Sequence, residues 1–139
     1  PILNERGVLR SNTDLMAVTR RLIMTIYPCE DQPPAEEIYE RMAQGGDCTP
    51  QLCRAMLNFL RLLRRESVEQ VVFSSTSHRM LRLFSGQDNS LSSTELVRIE
   101  PVNPLQVGFQ LDFPQRAMSE YVSTPEEAVQ RVIAFLQVK

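Results

Sequence analysis

A chain of 139 residues is long enough for one hydrophobic core, and its apolar fraction of 42% excludes disorder throughout. Its formal net charge of −2 weighs against a chain wholly devoted to nucleic acid, because such proteins usually carry a basic excess. No stretch approaches the ~20 apolar residues of a membrane span. Three cysteines at irregular spacing and no secretory signal predict a reducing compartment, either cytoplasmic or nuclear.

The first half of the sequence predicts three helices. Apolar residues recur at helical spacing as far as Tyr27, where Pro28 ends the first helix. They are Leu15, Val18, Leu22 and Ile26. A second helix begins at Pro33-Pro34 and ends at Gly45-Gly46, since proline suits a first turn and glycine a left-handed cap. Thr49-Pro50 then begins a third helix that runs to about Arg65.

The middle of the chain turns toward strand. Val71 to Phe73 are strand-forming residues, and Ser74 to Ser77 have the composition of a turn. Residues 79–84 fit the return strand of a hairpin, and a short helix fits them as well. Residues 87–94 are polar and predict a flexible linker or loop.

The last third predicts a sheet and a covering helix. Residues 95–100 read as a strand and 101–104 as its turn. Residues 105–113 alternate apolar and polar side chains, as a strand with one solvated face does. Residues 117–122 add an edge strand. Thr124-Pro125 then begins a final helix whose apolar residues cover the dry face of the sheet.

Together these elements predict an α+β fold: an N-terminal three-helix segment, followed by an antiparallel hairpin or meander packed by a C-terminal helix. We expect one domain over 1–139, with a possible division into 11–86 and 94–139 joined by the loop 87–94. Three helices followed by a hairpin resemble the element order of a winged helix, although no motif residue supports that resemblance.

The sequence contains no clear motif for metal binding, phosphate binding or catalysis. The pair Cys48 and Cys53 is too widely spaced for a usual zinc half-site, and the single histidine, His78, is distant in sequence. No phosphate-binding glycine loop and no nucleophile elbow occurs. We therefore expect no metal, no cofactor and no catalytic residue; an active site assembled only in three dimensions is the alternative.

The third helix carries the strongest candidate site. Arg54, Asn58, Arg61 and Arg65 fall at i, i+4, i+7 and i+11, on the side opposite the leucines, and no acid interrupts them. We call these four residues the basic face. Arg79 and Arg82, with His78, join it if the following hairpin folds back. A merely solvated polar face is the simpler interpretation.

These features predict a non-catalytic interaction module, either an adaptor domain or a small subunit, that binds a protein partner. The basic face is one docking surface. The other is the sheet edge at 117–122, which can pair with a partner strand or with a second copy. The alternative is a winged-helix-like domain that binds nucleic acid through helix 50–65.

Overall fold

Within the described residues, six strands form one mixed sheet in chain order, and three helices accompany it. The computed structural model describes residues 24–46, 48–87, 93–102 and 107–137. The elements are β1 (Thr25–Pro28), α1 (Ala35–Gly45), α2 (Pro50–Arg64), β2 (Val71–Ser77), β3 (Met80–Phe84), β4 (Glu95–Val102), β5 (Gly108–Phe113), β6 (Met118–Val122) and α3 (Pro125–Gln137). Strands β2 to β6 form an antiparallel meander, and β1 pairs parallel to β2.

One face of the sheet forms the core together with all three helices. Successive side chains along each strand point to opposite faces of the sheet. In-register partners such as Leu81, Ile99 and Leu111 therefore lie on the same face. They are buried with the apolar faces of the helices in one cluster that runs from Met24 to Ile133. Helix α2 packs against both α1 and α3 and therefore lies in the middle of the helical layer.

The predicted limits of the second and third helices are confirmed. Gly46 ends α1 with φ +80°, and its amide donates to the carbonyl of Met42. Thr49 caps α2, accepting a hydrogen bond of 3.3 Å from the amide of Leu52. Pro50 occupies the first helical turn, where its missing N–H leaves no intrahelical bond unmade.

The first predicted helix is wrong where the structure describes it. Residues 25–28 form β1, whose Thr25 and Ile26 pair with Val71 and Val72 of β2. The hydrogen bond from Thr25 N to the Gln70 carbonyl, 2.9 Å, fixes this register. Residues 1–23 lie outside the described part. The three-helix segment and the winged-helix order are therefore not confirmed.

Two turn predictions are also wrong where the structure describes them. Ser74 to Ser77 belong to β2, where Ser74 and Ser75 are buried, and the turn lies at His78 and Arg79. Residues 80–84 form the return strand of the hairpin, so this alternative is confirmed and the short helix is wrong. Pro101 lies in β4, which continues to Val102. Of the predicted linker 87–94, residues 88–92 lie outside the described part, as do 103–106.

The predicted edge strand and final helix of the last third are confirmed, whereas the strand predicted over 105–113 is described only from Gly108 to Phe113, with Val107 outside it. Phe109, Leu111 and Phe113 of β5 are buried while Gln110 and Asp112 are more exposed. Strand β6 lies at the edge of the sheet. Thr124 Oγ1 accepts from the amide of Glu127 at 3.1 Å, capping α3. No helix in the described ranges is long and apolar enough to cross a membrane.

Candidate functional site

Helix α2 separates its side chains as the sequence predicts. Its apolar residues are buried against the sheet and the neighbouring helices: Leu52, Cys53, Met56, Phe59, Leu60 and Leu63. On the opposite side Arg54, Arg61 and Arg65 are exposed and Asn58 is half-buried. The four residues of the basic face therefore lie together on the outer surface of the helical layer.

The arginines of this face differ from most others in the chain. The described residues include ten arginines, of which six form ion pairs with a glutamate. The four without such a pair are Arg54, Arg61, Arg65 and Arg116. Three of the four belong to one helix face, so positive charge is concentrated there without an acid to neutralise it.

Arg64, the immediate neighbour of Arg65, shows the contrasting case. Its guanidinium donates to both carboxylate oxygens of Glu36 in α1, at 2.5 and 3.0 Å, and to the carbonyl of Ile26 in β1 at 3.1 Å. Burial alone raises the pKa of Glu36, but the hydrogen bonds and charge of Arg64 lower it below its usual value. Arg64 thus joins α2 to α1 and to β1.

The basic face contains a shallow depression. It has a volume of about 420 Å³ and is lined by Arg54, Leu57, Asn58 and Arg61. A guanidinium N–H of Arg61 donates to the side-chain oxygen of Asn58, which holds this arginine along the helix. Because the partly buried Leu57 also lines it, the depression offers an apolar contact beside two cations.

Arg79 and Arg82 do not join the basic face. In β3 Arg82 alternates with Leu81 and Leu83, which are buried beneath the helices, so its side chain lies on the opposite face of the sheet. Arg82 Nε donates to Glu95 at 2.7 Å. Arg79, at the hairpin turn, pairs with Glu100 at 3.4 Å.

A charge network crosses this opposite face of the sheet. The carboxylate of Glu95 accepts hydrogen bonds of 2.8 Å from Arg98 in addition to the one from Arg82. The hydrogen bond from Arg98 lowers the pKa of Glu95; burial opposes this shift, and Arg82 adds to it. The Arg82 guanidinium also lies 5.0 Å from the centre of the Phe84 ring. The guanidinium groups of Arg82 and Arg98 are therefore already hydrogen-bonded to Glu95 on this face of the sheet.

The cysteines and the histidine form no recognised site among the described residues. Cys48 and Cys53 are buried thiols. Burial raises the pKa of the Cys53 thiol to about 12, and a hydrogen bond between Cys53 and Cys48 contributes. His78 is exposed in the hairpin turn with φ +55°. No group of three metal-ligating side chains is present in the described part of the chain.

The sequence did not indicate a role for Arg116, the fourth described arginine without an ion pair. Arg116 lies in a 3-10 turn after β5, and its guanidinium is 4.7 Å from the centre of the Phe135 ring in α3. Phe135 in turn packs against Phe113, with ring centres 4.8 Å apart. No local pattern indicates this cluster, because its members come from three separate elements.

Comparison of the chain with protein-family models, with curated proteins and with solved structures finds no match. The geometry of the described residues is therefore the basis for any functional assignment.

Proposed function

We propose that this protein is a non-catalytic interaction module, an adaptor domain or a small subunit of a complex, that binds an acidic protein surface through the basic face of α2. Binding starts with charge-steered encounter and continues with burial of apolar contacts such as Leu57. The expected setting remains cytoplasmic or nuclear.

The observation that carries this proposal is the position of the unpaired arginines. Arg54, Arg61 and Arg65 lie on one exposed helix face, while six other described arginines are neutralised by glutamates. A guanidinium presents a planar set of donors that matches a carboxylate in two parallel hydrogen bonds. Because the helix backbone fixes their spacing, the three cations form a preorganised row.

The surroundings of α2 favour a protein over a nucleic acid. A recognition helix must enter a major groove about 12 Å wide. Helix α2 has a packed neighbour on each side, and packed helix axes lie about 8–10 Å apart, so the layer is too broad to enter.

Charge reversal tests the proposal. The variant Arg54→Glu, Arg61→Glu, Arg65→Glu removes the basic face, and partners are compared by quantitative affinity capture. The matched control places three glutamates at exposed positions outside it: Arg41→Glu, Gln44→Glu and Gln130→Glu. We expect acidic partners bound by the wild type and the control to be lost from the basic-face variant. Equal partner sets from all three proteins would contradict the proposal.

The alternative is a winged-helix-like domain that binds nucleic acid through the same helix. The cluster of arginines supports it, although the broad helical layer does not. Titration of duplex DNA at increasing salt discriminates the two, because phosphate contacts give an affinity that falls steeply with salt. Absence of binding at low salt would remove the alternative and leave the protein partner.

A further inference from the structure

Strand β6 offers a second surface, separate from the basic face. Among the described strands it pairs only with β5, so the backbone groups along its outer side have no strand partner there. The strand lacks proline and lysine, and its pairing with β5 shows no register shift. Met118 and Tyr121 are each 49% exposed. The edge therefore has few of the features that prevent pairing with an added strand.

A cleft lies between this edge and α3. Met118 and Glu120 pair in register with Phe113 and Leu111 and so face the helical layer. Beside them is a cleft of about 220 Å³ whose apolar lining includes Phe113, Met118, Ala134 and Phe135. We call the β6 edge with this cleft the edge groove. If another strand pairs with this edge, every second one of its side chains faces the helical layer and reaches the cleft.

The charge of the edge groove comes from Arg116. Glu120 and Arg131 also line the cleft, but they neutralise each other at 3.5 Å. Arg116 has no acidic partner among the described residues, and stacking on Phe135 holds its guanidinium at the mouth. It also lines a second cleft, of about 330 Å³, with Leu96 and Leu136. The groove thus combines an apolar lining with one uncompensated cation.

The geometry points to β-strand addition at β6: an extended segment of another protein pairs with this edge, and the alternate positions that face the cleft carry apolar side chains and one acidic side chain. Its apolar side chains fill the cleft beside Ala134, and one carboxylate pairs with Arg116. Backbone hydrogen bonds supply affinity, and the cleft and Arg116 supply selectivity. This inference does not depend on the basic face.

Selection from a phage-displayed library of random peptides tests the inference. We expect selected peptides to alternate apolar residues and to contain aspartate or glutamate. Binding should weaken at least about tenfold for Arg116→Glu, yet remain unchanged for Arg41→Glu and for the triple basic-face variant. A library that yields no binder, or binders unaffected by Arg116→Glu, would overturn the inference.

N-methylation of the selected peptide tests backbone pairing without altering the protein. Methyl groups on one alternate set of amides should abolish binding, and methyl groups on the other set should leave it nearly unchanged. Equal effects from the two sets would contradict strand addition. Light scattering distinguishes a second copy as the occupant: a dimer that the peptide dissociates would overturn the proposed heterologous partner.

Discussion

The carboxylate of Glu36 holds the guanidinium of Arg64 in two hydrogen bonds of 2.5 and 3.0 Å. Arg65, one residue later, has no acidic partner among the described residues and is exposed. Two adjacent arginines at the end of α2 therefore have different roles. The first connects secondary-structure elements, and the second belongs to the proposed docking surface.

This pair supplies a matched test of stability. Arg64→Ala leaves a half-buried Glu36 without its partner and removes the Arg64 donor from the Ile26 carbonyl, so the unfolding free energy should fall by about 1–2 kcal/mol. Arg65→Ala should change it by less than about 0.5 kcal/mol. Urea denaturation of both variants measures the difference. Equal losses would show that Arg65 is also structural.

Local patterns predicted the elements whose signals lie within a short segment. Thr49 and Pro50 mark a helix start, and the alternation from Phe109 to Phe113 marks a strand, because caps and periodicity need no distant partner. Strand β1 could not be predicted in this way. Its partner β2 follows more than forty residues later, and Ile26 fits a helical period equally well.

For the candidate site too, the sequence predicted what depends on a single helix and not what depends on contacts between elements. Helical periodicity places Arg54, Arg61 and Arg65 on one face. It cannot show that Arg64 pairs with Glu36, since that contact joins two helices. The expectation that Arg82 joins the basic face is wrong. Its side chain alternates with those of the buried Leu81 and Leu83, so it lies on the face of the sheet away from the helices, whichever way the hairpin folds.

Glu95 makes stability sensitive to acid. Its pKa in the folded protein lies below the usual 4.5, so its contribution is present above pH 4.5 and is lost as the pH falls through the folded value. Glu95→Gln should lower stability at pH 7 by about 2 kcal/mol and weaken the loss on acidification.

The control for this prediction is Glu100→Gln, which changes a more exposed carboxylate paired with Arg79 at 3.4 Å. Its effect should be small, as for surface ion pairs. Urea denaturation between pH 3 and 7 measures both variants. An unchanged pH dependence in Glu95→Gln would show that Arg82 and Arg98 do not stabilise the carboxylate.

Tyr121 and Gly108 form a close contact across neighbouring strands. A Cβ atom at position 108 would lie 2.1 Å from Tyr121 Oη, so Gly108→Ala must displace the ring. We expect a loss of about 1 kcal/mol in the wild type. With Tyr121→Ala the same change should become neutral or stabilising, since alanine suits a strand better than glycine. A four-protein denaturation cycle tests this; equal effects in both backgrounds would contradict the contact.

The three cysteines should be protected from alkylation in the folded protein. Cys29, Cys48 and Cys53 are buried, and burial raises the pKa of Cys53 to about 12. Because the thiolate is the reactive form, iodoacetamide should label Cys53 at least about a hundredfold more slowly in buffer than in urea. Peptide mass spectrometry measures each site. Similar rates in buffer and urea would contradict this burial.

Site-specific photocrosslinking tests the central claim most directly. A photoreactive amino acid is placed at Gln51, which is exposed one turn before Arg54 on the same side of α2, and at Gln130 of α3 as the control. The proposal predicts crosslinks to an acidic partner from position 51, lost when Arg54, Arg61 and Arg65 are changed to glutamate. Crosslinks that persist in that triple variant, or that form only from position 130, would contradict it.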